Sequence, residues 1–234
     1  MSQHSSTATA PALIGAFPGT DPTTLPVTDH VPELIRLTRR EFSLITERLL
    51  MAAGCGAGAW PGARDYVLET LSQVGPGTID LLEAALVNRD RAPWPRVALS
   101  QPAAMDADGA PLILVGNSIA NALIAFLGDS PDSVFTVTGL SDVRGFEGLA
   151  VRATYHGFTL SFTPDHDLGQ LKIRAARTTP DASADVVTLL RAGVECSGTQ
   201  WWRVYQPSNF ALSEETEVSR SHTGVSETLL HYSV

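Results

Sequence analysis

The sequence predicts an α+β fold in which a helical N-terminal half packs on a mostly antiparallel C-terminal sheet. Three observations carry that prediction. Apolar residues recur at helical spacing from about residue 31 to residue 127, and β-branched and aromatic residues crowd the stretch from Val134 to Ala175. The helix-like segments also precede the strand-like ones instead of alternating with them, which separates α+β from α/β architecture. With 234 residues, 44% of them apolar, the chain is long enough to bury a real core. Residues 31–234 read as a single domain, and residues 1–30 as a flexible or arm-like tail.

The tail is rich in Ser, Thr, Ala and Pro, and Pro11, Pro18, Pro22 and Pro26 interrupt any helical or strand period. Thr28 and Asp29 then offer a cap, Pro32 suits a first turn, and Leu34, Leu37, Phe42, Ile45 and Leu49 follow at helical spacing up to Gly54. The alternating glycines Gly54, Gly56 and Gly58 break that helix. Pro61 suits the start of the next one, over Arg64 to Val74, and Thr78 can cap a third through Leu86. Residues 88–111 hold four prolines and read as an irregular connection. A strongly apolar helix follows from about 113 to 127. Strands are expected at Val134 to Thr138, Ala150 to Tyr155, Phe158 to Phe162 and Leu171 to Ala175, with His156-Gly157 as a hairpin turn between the second and third. Val186 to Val194 fits either a strand or a helix.

Composition excludes several classes of function. A net charge of -9 with only 16 Lys plus Arg supplies no basic stripe for nucleic acid and no attraction to an anionic membrane surface. As a helix, Leu112 to Leu127 would span roughly 24 Å, short of a hydrocarbon core of about 30 Å. Two cysteines, Cys55 and Cys196, are too few for a disulfide framework or a cysteine zinc site. They suit a reducing cytoplasm. The first lysine or arginine is Arg36, so the N-terminus has neither the basic start of a secretory signal nor the Arg-rich face of a transit peptide. No metal or other cofactor is expected.

Four segments could carry chemistry. The glycine turn at 54–62 leads into a helix whose N-terminus could hold a carboxylate or phosphate, with Gly56, Gly58 and Asp65 as candidate substrate-binding residues. Its spacing fits neither a dinucleotide fingerprint nor a phosphate loop, and a plain helix-helix connection is the other reading. Cys55 within it is either an activated thiol or a small core residue. Asp165-His166-Asp167 resembles a metal triplet, but adjacent strand residues face opposite ways, so a polar turn accounts for it better. The run from Ser213 to Gly224 is chemically the richest: Glu217 or His222 as general base, Ser219 as donor or nucleophile, Arg220 as a carboxylate clamp and Thr223 as a further substrate contact. A solvated loop explains that run equally well. Trp201, Trp202 and Tyr205 fit an amphipathic helix better than a pocket wall.

Gly56-Ala57-Gly58 followed by Gly62 and Asp65, and Thr216-Glu217 with Ser219-Arg220 and Gly224, resemble the two ends of an uncharacterised bacterial family. Its outline is a GAG-containing helix-turn-helix near the start and a Thr-x-x-Ser-Arg segment near the end. The resemblance covers about 60 residues in two pieces. Ala59-Trp60-Pro61 and Ser221-His222-Thr223 depart from its pattern. It implies that the two polar segments meet around one pocket, and it supplies no reaction.

Two functions compete on this reading. One is an enzyme of small-molecule metabolism acting on a carboxylate- or amide-bearing metabolite by hydrolysis or proton transfer. The other is a non-catalytic accessory or structural subunit of an oligomeric metabolic enzyme complex. The partners expected are a small-molecule substrate and a second copy or partner subunit, with no nucleic acid and no membrane.

Overall fold

A computed structural model of the chain describes residues 31–56, 58–87, 94–101, 103–129, 133–180 and 191–209. They form the α+β fold expected. Strand β1 (Leu34–Leu37) leads into α1 (Arg39–Ala52), α2 (Trp60–Val74) and α3 (Gly77–Val87). Strands β2 (Ala98–Gln101) and β3 (Ala104–Asp106) precede α4 (Leu112–Asp129) and β4 (Val134–Thr138). Helix α5 (Glu147–Tyr155), strands β5 (Phe158–Asp165), β6 (Gln170–Arg177) and β7 (Val194–Ser197), and helix α6 (Gly198–Ser208) complete the described order.

The main sheet has the order β2-β3-β4-β6-β5; β3 and β4 are parallel and the other neighbouring pairs antiparallel. Helix α4 makes the crossover between β3 and β4, as a parallel pair requires. Helix α5 links β4 to β5, and β6 fills the space between those two strands. One face of the sheet is buried through Met105, Phe135, Val137, Leu171 and Ile173, whereas the alternate residues Lys172, Arg174, Ser161 and Thr163 are exposed. This is the one-sided burial common in antiparallel sheets. Phe126 of α4 packs on Phe135 at 5.6 Å and Phe146 on Phe162 at 4.8 Å, seating the helices on the sheet. Further out, Trp201 of α6 stacks on Phe42 of α1 at 6.0 Å, the amphipathic packing its spacing suggested.

Several elements differ from expectation for identifiable reasons. Leu34 and Leu37 lie in a strand, because residues 34–37 pair antiparallel with β7 across the whole chain, with Arg36 opposite Glu195. The helix starts at Thr38, which forms a full capping box with Glu41, and not at Thr28 or Asp29. Residues 150–155 belong to helix α5 and not to a hairpin strand. Leu149 and Ala153, one turn apart, bury one face of it, and Gly157 at φ +78 closes it as a helix terminus. The stretch 88–111 contains β2 and β3 rather than being irregular throughout. Thr78 lies inside α3, and its buried hydroxyl has no partner among the described residues. The expected tail at 1–30 and most of Val186 to Val194 lie outside the described residues, as does part of the proposed domain.

Helix α2 is the centre of the packing, since every residue from Tyr66 to Ser72 is buried. Two glycines on neighbouring helices let Tyr66 fit. A Cβ at Gly116 of α4 would run into the Tyr66 ring, and one at Gly148 of α5 would lie 2.5 Å from Thr70 Oγ1 and 3.0 Å from the same ring. The ring fills the space that both glycines leave. Gly116→Ala is therefore expected to lower stability by about 1–3 kcal/mol through overpacking, despite alanine's better helix propensity. Urea denaturation checks it, and unchanged stability would show that the three helices can separate freely.

Candidate functional site

A helix buried on most sides is a poor place for a carboxylate, yet α2 carries Glu69 among Tyr66, Val67, Leu68, Thr70 and Leu71. A buried charge needs a partner with good hydrogen-bond geometry. Helix α5 supplies one: Arg152 Nε donates to Glu69 Oε1 at 2.8 Å and to Oε2 at 2.9 Å. Only 15% of the Arg152 side chain and 10% of the Glu69 side chain are exposed. Arg152 Nη1 donates to Asn117 Oδ1 of α4 at 2.8 Å, so one guanidinium ties three helices together. A Cβ at Gly62 would lie 2.5 Å from the Asn117 amide nitrogen, so that glycine admits the Asn117 side chain against α2.

Asp65 lies one turn before Glu69 and is half exposed. It accepts from Arg64 Nε at 2.9 Å and Nη2 at 2.7 Å; Arg64 also bonds Glu47 of α1 and lies over the Trp60 ring at 5.7 Å. Behind the pair, the Tyr66 hydroxyl donates to the Gly145 carbonyl at 2.7 Å, and Thr70 Oγ1 donates to the Tyr66 carbonyl at 3.0 Å. Burial, with help from Glu69 and Glu147, pushes the Tyr66 phenol well up and keeps it protonated. Tyr155, at the end of α5, is also pushed up, first by burial and then by Glu69. Glu147 Oε2 is a buried acceptor with no partner among the described residues.

Glu69 has the electrostatics of a proton-transfer group. Desolvation raises its pKa from 4.5 to about 6, Arg152 opposes that rise through its hydrogen bonds and charge, and Asp65 adds to it. A carboxyl that exchanges its proton near neutrality can act as acid in one step and base in the next. Each carboxylate oxygen has a further lone pair beyond the one turned to Arg152, so a ligand proton has somewhere to go.

Of the residues proposed from sequence, Asp65 stands beside this centre. Gly56 and Gly58 lie in the turn ahead of α2; the Gly56 carbonyl accepts from the backbone N–H groups of Ala59 and Trp60, and the space around both glycines is open. Glu217, Ser219, Arg220, His222 and Thr223 lie outside the described residues, as does the expected meeting of the two polar segments. Asp165 to Asp167 occupy the end of β5 and the turn into β6, where Asp165 Oδ1 accepts from the Leu168 N–H at 3.0 Å, a polar turn in fact. Among the described residues no group of three His, Cys, Asp or Glu side chains could hold a metal ion, and no helix is long and apolar enough to cross a membrane. Cys55 and Cys196 are both buried; burial pushes the Cys196 thiol up to about 11.

Sequence reasoning missed Glu69, Arg152, Asn117 and Tyr155. A carboxylate within an otherwise buried helical run, one turn after Asp65, was an available signal for Glu69. Arg152 was concealed by reading 150–155 as a strand. Compared with protein-family models, curated protein sequences and solved structures, the chain matches none.

The raised carboxyl sets a pH signature. Because the folded-state pKa lies above the unfolded value, the folded chain holds this proton more tightly. Glu69's contribution is therefore fully present below about 4.5 and is lost as pH rises through about 6. That difference corresponds to about 2 kcal/mol between those limits. Comparing urea unfolding of wild type and Glu69→Gln across this window is expected to show a wild-type decline that the variant lacks; parallel curves would mean that Glu69 titrates normally.

Proposed function

We propose that the protein is a bacterial, cytoplasmic enzyme of small-molecule metabolism that acts on a carboxylate- or amide-bearing metabolite by proton transfer or hydrolysis. One observation carries the reading: a nearly buried carboxyl with its pKa raised to about 6, gripped by a guanidinium that also reaches Asn117. Perturbed groups of this kind concentrate where acid-base chemistry is done. Glu69 is the acid-base residue in this scheme. Arg152 stabilises its ionised form and negative charge developing on the substrate, while Asn117 fixes the guanidinium plane. Asp65, steadied by Arg64, stands one helical turn from Glu69. The glycine turn and the polar run at 213–224 remain candidate contributors, with Arg220 as a substrate clamp.

A second reading, the accessory subunit, draws on Leu44 and Met51. They are exposed two turns apart on one face of α1, with the charged Glu47 and Arg48 between them, and offer two apolar contacts to a partner.

Turnover decides between them. In a screen of carboxylate and amide metabolites with purified protein, Glu69→Gln is expected to lower kcat at least about a hundredfold while the circular dichroism spectrum stays that of a folded chain. Wild-type turnover in this variant would remove Glu69 from the chemistry. A multimer that Leu44→Asp dissolves, with no turnover in any condition, would favour the subunit.

A further inference from the structure

The way Glu69 and Arg152 meet leaves part of the guanidinium unspent. An arginine and a carboxylate usually pair as two forks, each oxygen taking its own N–H. Here both Glu69 oxygens converge on Nε alone, and Asn117 takes Nη1. Among the described residues nothing accepts from Nη2, and that nitrogen is not among the buried polar atoms left without a partner. The Arg152 side chain keeps 15% of its surface exposed, which leaves this edge available to solvent or a ligand. Tyr155 lies one helical turn further along α5, half-buried, where its phenol feels the charges of both Glu69 and Arg152. A planar donor edge with a phenol one helical turn away suits a carboxylate better than an amide, whose nitrogen would oppose donors with donors.

Charge bears on how such a ligand could bind. Helix α2 presents Glu69 and Asp65 to this region, with Asp65 already held by Arg64, and α5 presents Arg152 and Tyr155; Glu147, also of α5, adds a further carboxylate that acts on Tyr66. Helix α4 contributes the neutral Asn117. With Glu69 ionised, Arg152 is already neutralised, so an incoming anion meets no net attraction. A neutral Glu69 restores one positive charge.

Resting on the reading of Glu69 and Arg152 as the working site, we propose that Arg152 receives a ligand carboxylate on its Nη2 edge beside the Tyr155 hydroxyl, and that the ligand binds together with one proton taken from solvent by Glu69. The charge balances: one carboxylate and one proton enter together. Reciprocally, a bound anion strengthens the hold of Glu69 on its proton, which primes it as a general acid.

Isothermal titration of the full chain with lactate tests this, with lactamide as the uncharged match. Lactate stays ionised throughout the range used. Its affinity is expected to fall about tenfold or more between pH 6 and about pH 8, with proton uptake, seen from buffers of different ionisation heat, well below one at pH 6 and approaching one near pH 8. Lactamide should bind at least about tenfold more weakly at the lower pH, and Arg152→Lys should lose about tenfold in lactate affinity. Tyr155→Phe should weaken lactate binding several-fold at unchanged Tm, and it decides the matter if the Arg152 variant does not fold. No lactate binding, pH-independent binding, equal binding of lactamide, or wild-type affinity in the folded variants overturns the inference. Loss of turnover in Glu69→Gln alongside any of those results would leave the acid-base reading standing, whereas retained turnover with proton-linked lactate binding would remove catalysis and keep the site.

Discussion

The rest of the molecule is arranged around one carboxylate placed in a helix with almost no solvent-facing side. Removing an ion from water costs several kcal/mol even after relaxation, so Glu69 must find a cation in the same interior. That cation comes from α5, and α5 must be a helix for Arg152 to arrive with its stem packed and its Nε against both oxygens. Asn117 fixes the other side of the guanidinium from α4. Gly62, Gly116 and Gly148 let the three helices approach closely enough for these bonds to form. The ion pair is therefore weak evidence for net stability and strong evidence for geometry: it specifies how two sheet-covering helices meet the central one.

This arrangement also decides which chemistry is available. A carboxyl held between desolvation and a guanidinium sits in a balance that a nearby charge can tip, and Asp65 already tips it toward the protonated form. Tyr66, locked as a neutral phenol with its hydroxyl given to Gly145, serves packing and not proton transfer. The buried thiol of Cys196, pushed up by its surroundings, is equally unsuited to nucleophilic work at neutral pH.

The fold class was legible because periodicity reports it directly: α2, α4, β4 and β6 follow their apolar patterns closely. Where the pattern failed, a contact distant in sequence had won. Leu34 and Leu37 fit a helical period, but pairing with Val194–Ser197 extends them, and Thr38 with Glu41 supplied a cap signal that marks the true helix start. Ala150-Val151-Arg152-Ala153-Thr154-Tyr155 has a strand's composition and a helix's conformation, since burial of Leu149 and Ala153 on one helix face overrides local propensity. That one misreading hid the site, because Arg152 has meaning only one helix face away from Glu69. Asp65 was found for its place after the glycine turn; its relation to Glu69 required seeing that the helix runs through the core.

The most direct measurement is a carbon-detected NMR titration of the glutamate side-chain carboxyls, with Glu69 assigned by its absence in Glu69→Gln. The account predicts a midpoint near 6 for Glu69, moving further up when Arg152 is replaced, since the guanidinium holds the ionised form. A midpoint at the ordinary 4.5, unmoved by loss of Arg152, would contradict it and reduce the cluster to a solvated surface pair.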